Sequence, residues 1–197
     1  MVGGPSGRRI GTTDSKTRSR LVDAAELLMV EEGYAAVTSR RVAAKAGLKP
    51  QLVHYYFRSM DDLFLEVFRR RADENLARFE RTLAVDASLR SLWQMNADPR
   101  GAAFLIEFVA LANHRKAIRA EIAAYAERWR DAQLAALTAA FEADGVSPEQ
   151  MPPQAALLLM TGLAHVLAIE EGLGVTAGHH DTVAFIEAAV ARLDRRS

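Results

Sequence analysis

At 197 residues, half of them apolar and a quarter charged, the chain has an ordinary globular composition, with room for one or two domains and a full core. It contains no cysteine, which excludes disulfides, zinc–thiolate sites and cysteine nucleophiles. The formal net charge is zero but unevenly spread: residues 1–60 hold ten Lys/Arg against five Asp/Glu, and residues 61–197 hold fifteen against twenty. A basic N-terminal third on an acidic remainder is the pattern of nucleic-acid binding confined to one end.

The first residues, MVGGPSGRRIGTTDS, lack the apolar centre of a secretory signal. No apolar run is expected to reach the roughly 18–20 residues of a bilayer span. The stretch 155–169 comes nearest, but it contains His165 and is followed by Glu170 and Glu171. A cytoplasmic protein with no membrane partner is expected.

In chain order, residues 1–14 are rich in Gly, Pro, Ser and Thr and carry Arg8 and Arg9, which predicts a disordered basic arm. A helix follows over 15–32, with Leu21, Val22, Ala25, Leu28 and Met29 on one stripe. Lys16, Arg18 and Arg20 crowd its N-terminal half, the unfavourable end for cations, where they are available to phosphates. Gly33 closes it.

The stretch 38–57, TSRRVAAKAGLKPQLVHYYF, predicts two short helices joined by a tight turn. Thr38 is a side-chain N-cap, Gly47 ends the first helix in a left-handed conformation, and Pro50 suits the first turn of the second. Two short helices with such a turn form a helix-turn-helix, whose second helix enters the DNA major groove. Val42, Ala43, Ala46, Leu48, Val53 and Phe57 fit the inside of a three-helix cluster. The outward set is Lys49, Pro50, Gln51, Leu52, His54, Tyr55 and Arg58, with Tyr56 beside them. Lys and Gln bond base edges, and Leu touches a thymine methyl. His and Tyr more often meet phosphates. Next, SMDD at 59–62 has a capping pattern and opens a helix running to about residue 85, with Leu63, Phe64, Val67 and Phe68 inward.

Residues 15–68 resemble the DNA-binding domain of the TetR family of transcriptional regulators, through EEGYAAVTSRRVAAKAGL, KPQLVHYYF and SMDDLFLEVF. The resemblance covers about a quarter of the chain and implies that Arg40 reaches a base and Ser39 a phosphate. Two positions depart from the family pattern. His54 replaces a phosphate-touching Tyr, and Met60 replaces a Lys that caps the next helix and binds phosphate. Arg58 is the candidate replacement for that lost contact.

The remainder predicts helices over 86–96, 102–113, 116–143, 154–172 and 181–195. The fold class is therefore all-α: an N-terminal helix-turn-helix domain at 15–60 joined to a C-terminal helical bundle at 61–197 that ends in a dimerisation hairpin. The long helix from 59 joins the two parts with no Gly/Ser linker, so a change in one is expected to tilt the other. Val183, Ile186, Val190 and Leu193 fall at 3-4-3 spacing, a seam like that of a coiled coil. Leu159, Gly162 and Val166 add apolar surface on the preceding helix. Two such hairpins make a four-helix interface across a two-fold axis.

His179, His180 and Asp181 are weighed as metal ligands and read instead as a loop that caps the last helix. No phosphate loop or nucleophile elbow appears. No enzyme activity, cofactor or metal is expected. The resemblance implies an effector cavity in the helical core, and Trp93, Phe104, Phe108, Tyr125, Trp129, Met160 and His165 are the large residues available to line it. The expected function is a dimeric regulator, a repressor that binds a near-palindromic double-stranded operator and is released by a small, mostly apolar effector. The rival reading is a helical interaction protein or ligand carrier without sequence-specific DNA binding.

Overall fold

The structure is a computed structural model and describes residues 8–193. Its helices are α1 (Arg8–Glu32), α2 (Ser39–Lys45), α3 (Pro50–Tyr56), α4 (Met60–Val85), α5 (Leu89–Asn96), α6 (Pro99–Ala112), α7 (Lys116–Ala143), α8 (Pro153–Gly172) and α9 (His179–Leu193). A 3-10 turn, Tyr34–Ala36, links α1 to α2. Among the described residues there is no strand. Most bounds fall where local chemistry puts them. Thr38 Oγ1 accepts from the Arg41 N–H at 3.4 Å and Ser59 Oγ from the Asp62 N–H at 3.1 Å, satisfying donors that each helix start leaves open. Gly47 has φ +65°, and the Leu48 N–H turns back to the Ala43 carbonyl at 2.8 Å. Only glycine takes that φ without strain, so the helix ends there.

Two expectations change. The helix expected from residue 15 begins at Arg8, so part of the expected basic arm is helical, and residues 1–7 lie outside the described residues. The helix expected from residue 102 begins at Pro99, which stands in the first turn of α6, where its missing N–H costs nothing.

The chain forms two compact units. The first comprises Met1–Arg71 with Glu107–Arg119, and the second Ala72–Ile106 with Ala120–Ser197. In the first, α1, α2 and α3 bury Leu21, Ala25, Leu28, Val42, Ala43, Val53 and Phe57 together. Leu63, Val67 and Phe68 of α4 are buried in the same unit, and Phe68 meets the fully buried Phe108 at a centroid distance of 5.0 Å. Burying a side chain of that size contributes about 2–3 kcal/mol. In the second unit, Phe79, Leu89, Leu92, Leu137, Phe141 and Leu157 form the core. A buried amide is satisfied beside it: Gln133 Nε2 donates to Oδ1 of the half-buried Asn96 at 2.9 Å. Satisfied in this way, Gln133 avoids the cost of an unpaired buried amide.

The α8 helix contradicts the expectation that no apolar run is long enough to span a bilayer. Its 20 residues include an 18-residue window of mean hydropathy 1.4, which by length and composition alone meets the measure of a spanning helix. His165 does not offset the surrounding Leu, Ala and Val residues. Its inner positions Leu157 and Ala164 are buried within the unit. Leu158, Leu159, Val166 and Ile169 face outward, 57%, 74%, 49% and 45% exposed.

Candidate nucleic-acid interface and ligand cavity

The head is built from α1, α2 and α3, and its surface cations divide into two groups. The first group is engaged within the head. Arg41 grips both Glu32 oxygens at 2.5 and 2.6 Å, which raises the guanidinium pKa and lowers that of the carboxyl. Lys45 meets Glu31 at 2.6 Å. Arg18 pairs with Glu66 and lies 5.3 Å from the centroid of the Phe57 ring. Arg20 donates to the Ala46 carbonyl at 2.5 Å, satisfying an acceptor left open at the end of α2. Arg18 and Arg20, expected to face phosphates, are thus parts of the head's own scaffold.

The second group is unengaged. Lys16, Arg40 and Lys49 are exposed and make no ion pair among the described residues. Arg58 stands between the two groups: its side chain is 96% exposed but makes an i,i+4 ion pair with Asp62 at 3.6 Å. Of the remaining face residues, Pro50, Gln51, His54 and Tyr55 are exposed, and Ser39 and Leu52 are half-buried. Tyr56 differs from its neighbours. Its hydroxyl donates to Asp14 Oδ1 at 2.6 Å, and holding that proton on a carboxylate raises the phenol pKa.

Two long-range contacts within this unit were not read from the sequence. Glu107 Oε2 accepts from the Tyr34 N–H at 2.8 Å, in the turn that leads into α2. Gly33 beside it has φ +82°, and an added Cβ would stand 3.3 Å from the same carboxylate oxygen. Arg115, in the short loop before α7, pairs with Asp61 in the first turn of α4 and lies 5.7 Å from the Phe64 ring centroid.

The seven residues proposed as cavity lining do not gather at one place. Phe108 is buried in the first unit against Phe68. Phe104 is buried in the second. Tyr125 stacks on Trp129 at 6.2 Å and accepts from Asn75 Nδ2 at 2.9 Å. Trp129 also meets Phe79 at 4.9 Å, and Met160 packs on the second core. His165 is exposed on the outer side of α8, where partial desolvation lowers its pKa. Trp93 borders a cavity of about 510 Å³ between α5, α8 and α9, together with Leu167, Glu171, His179, Val183 and Glu187.

The predicted seam on α9 also lies differently. Val190 and Leu193 pack on the chain's own core, Val183 borders the cavity and Ile186 is half-buried. The outward apolar residue of α9 is Phe185, 68% exposed, and on α8 Leu159, Gly162 and Val166 are exposed. His179 Nε2 lies 2.7 Å from Glu170 Oε2, and among the described residues no three His, Asp or Glu side chains converge on a metal position.

A basic helix-turn-helix whose exposed face keeps its cations unpaired, in an all-helical chain with a ligand-sized cavity, defines a DNA-binding transcriptional regulator. Residues 21–67 match the family described as bacterial regulatory proteins, tetR family. The HTH-type transcriptional regulator BetI of Rhizobium meliloti (strain 1021) is 29% identical over 136 residues, covering 64% of this chain and 67% of that one. A TetR transcription regulator from Haloarcula marismortui superposes with a TM-score of 0.71 at 17% identity, over 90% of this chain and 97% of that one. A transcriptional regulator from Saccharomonospora viridis, in complex with choline, gives 0.66 at 20% identity, over 79% and 85%. At those identities the two structures speak for the fold alone. Residues 21–67 thus carry the tetR-family pattern, and the chain's fold is that of TetR-type regulators of known structure.

Proposed function

We propose that the protein is a homodimeric, ligand-responsive repressor that reads a near-palindromic operator through α3 and the start of α2. The unpaired cations carry this reading. Carboxylates of α1 and α4 neutralise Arg18, Arg41 and Lys45, while Arg40 and Lys49 stay exposed at the helix-turn-helix. An exposed cation without an internal partner has its charge available to a phosphate or a guanine edge.

Dimerisation is supported by the outer face of α8 and α9. Leu158, Leu159, Val166, Ile169 and Phe185 are exposed apolar residues, and no atom beyond Gly162's own stretch of helix lies within 4 Å of where its Cβ would stand. A second copy covering this face is favoured over a membrane, because α8 also buries Leu157 and Ala164 in the core. A two-fold pair presents two recognition helices to half-sites about 34 Å apart. A small effector lowers DNA affinity only by its differential affinity for the form that does not fit the operator. The choline bound by the Saccharomonospora viridis regulator supports ligand binding in this fold.

The test is fluorescence anisotropy on fragments from upstream of the gene. The wild type should select one fragment, and Gln51→Ala should change which base pairs are preferred. Equal weakening on every sequence defeats base reading by Gln51. Absence of binding to any fragment at low salt would leave the interaction-protein or carrier reading standing.

A further inference from the structure

We infer that the cavity between α5, α8 and α9 is a site for an organic cation with an apolar body, a quaternary ammonium or protonated amine. This rests on the ligand-responsive reading above and gives the effector a chemical class. The cavity's volume of about 510 Å³ lies within the usual range for a small-molecule site, roughly 300–1,000 Å³. Its apolar walls include Trp93, Leu167 and Val183, and Trp93 is 3% exposed, so the indole is fixed by packing. An indole is the best aromatic partner for a cation.

The carboxylates at the cavity stand beside two histidines, His179 and His180, of which His179 is held by Glu170. Glu171 and Glu187 border the cavity, and no Lys or Arg does. Neither carboxylate has an ion-pair partner among the described residues, whereas neighbouring Glu170 is held by His179 at 2.7 Å. Two unpaired carboxylates beside an apolar wall repel an anionic ligand and attract a cation, and the apolar walls favour one that carries hydrocarbon. Water and the half-open setting screen this attraction, so the selectivity expected is tens-fold rather than thousands-fold. A bare metal ion is a poor occupant, because no trio of ligating side chains converges there among the described residues.

Isothermal titration of the full-length protein tests this with three probes. These are benzyltrimethylammonium, its uncharged carbon isostere neopentylbenzene, and the anion phenylacetate. The cation should bind once per chain and at least tenfold more tightly than the isostere, with phenylacetate weaker still. The Glu171→Gln/Glu187→Gln pair should lose at least tenfold for the cation and leave the isostere unchanged. Both residues are exposed, so the variant should keep the wild-type melting temperature. Equal binding of cation and isostere, full affinity in the double variant, or no binding of the cation overturns the inference. The same cation is then added to the protein–operator complex. Cation binding at the site with unchanged operator affinity sinks the ligand-responsive reading while the site stands. Operator release by an unrelated apolar compound, with no cation binding, keeps that reading and removes this site.

Discussion

Glu107→Ala should loosen the turn that delivers the chain to the reading head. In the structure the Glu107 carboxylate accepts the Tyr34 N–H at 2.8 Å in a partly buried setting. A hydrogen bond to a charged group is worth about 1.5–3 kcal/mol where water cannot replace it. Water has partial access here, so the expected loss is about 1–2 kcal/mol. For a chain of this size each kcal/mol moves the melting temperature by about 2–4 °C, so the shift should be roughly 2–8 °C. Glu107→Gln keeps a carbonyl oxygen as acceptor and should lose about half as much. Gly33→Ala supplies a cross-check. It forces a non-glycine residue to φ +82° and sets its Cβ 3.3 Å from the carboxylate, so removing the carboxylate should relieve the crowding but not the strain. A double-mutant cycle on 33 and 107 by chemical denaturation should therefore show coupling. If Glu107→Ala melts within about 0.3 kcal/mol of wild type, or Gln is as damaging as Ala, the capping argument fails.

Asp86 accepts from Ser91 Oγ at 2.5 Å and from the Ser88 N–H at 3.0 Å, and these bonds, Ser91 first, hold its pKa below the ordinary value. Its contribution is therefore present above the ordinary Asp pKa, near 4, and is lost as pH falls through that value toward the lowered folded one. Asp86→Asn should lower the melting temperature at neutral pH and flatten its acid-side fall, and parallel profiles for the two proteins would refute this. Leu159→Glu places a charge in the outer face of α8, where the single chain leaves it 74% exposed, so sedimentation should show a folded monomer. An unchanged mass would count against that face. Lys49→Ala should reduce the slope of log affinity against log salt by about one per head, whereas Arg41→Ala, whose guanidinium is already held by Glu32, should leave the slope nearly unchanged.

The head was legible because its signals are local. Thr38, Gly47, Pro50 and Ser59 act on backbone groups within a few residues of themselves, and the structure puts a cap or a turn at each. Periodicity told which residues of α8 and α9 are apolar but not which neighbour covers them. Val190 and Leu193 looked like an inter-subunit seam and instead meet the chain's own core. Charge at a helix start likewise did not reveal that Arg18 and Arg20 are occupied, since their partners lie 48 and 26 residues away. The cavity was illegible for the same reason. Trp93, Glu171 and Glu187 stand on three helices or their ends, and no spacing rule links them.

The reading head is not a contiguous stretch of chain, and this bears on any attempt to transplant it. A hybrid regulator made by cutting after residue 71 would remove the carboxylate that holds Tyr34 and the guanidinium that holds Asp61. Its head would arrive without two of its own fastenings, however well the junction helix was preserved. The transferable module is residues 1–71 together with 107–119. A graft should carry both pieces, or replace Glu107 and Arg115 by equivalents already present in the recipient.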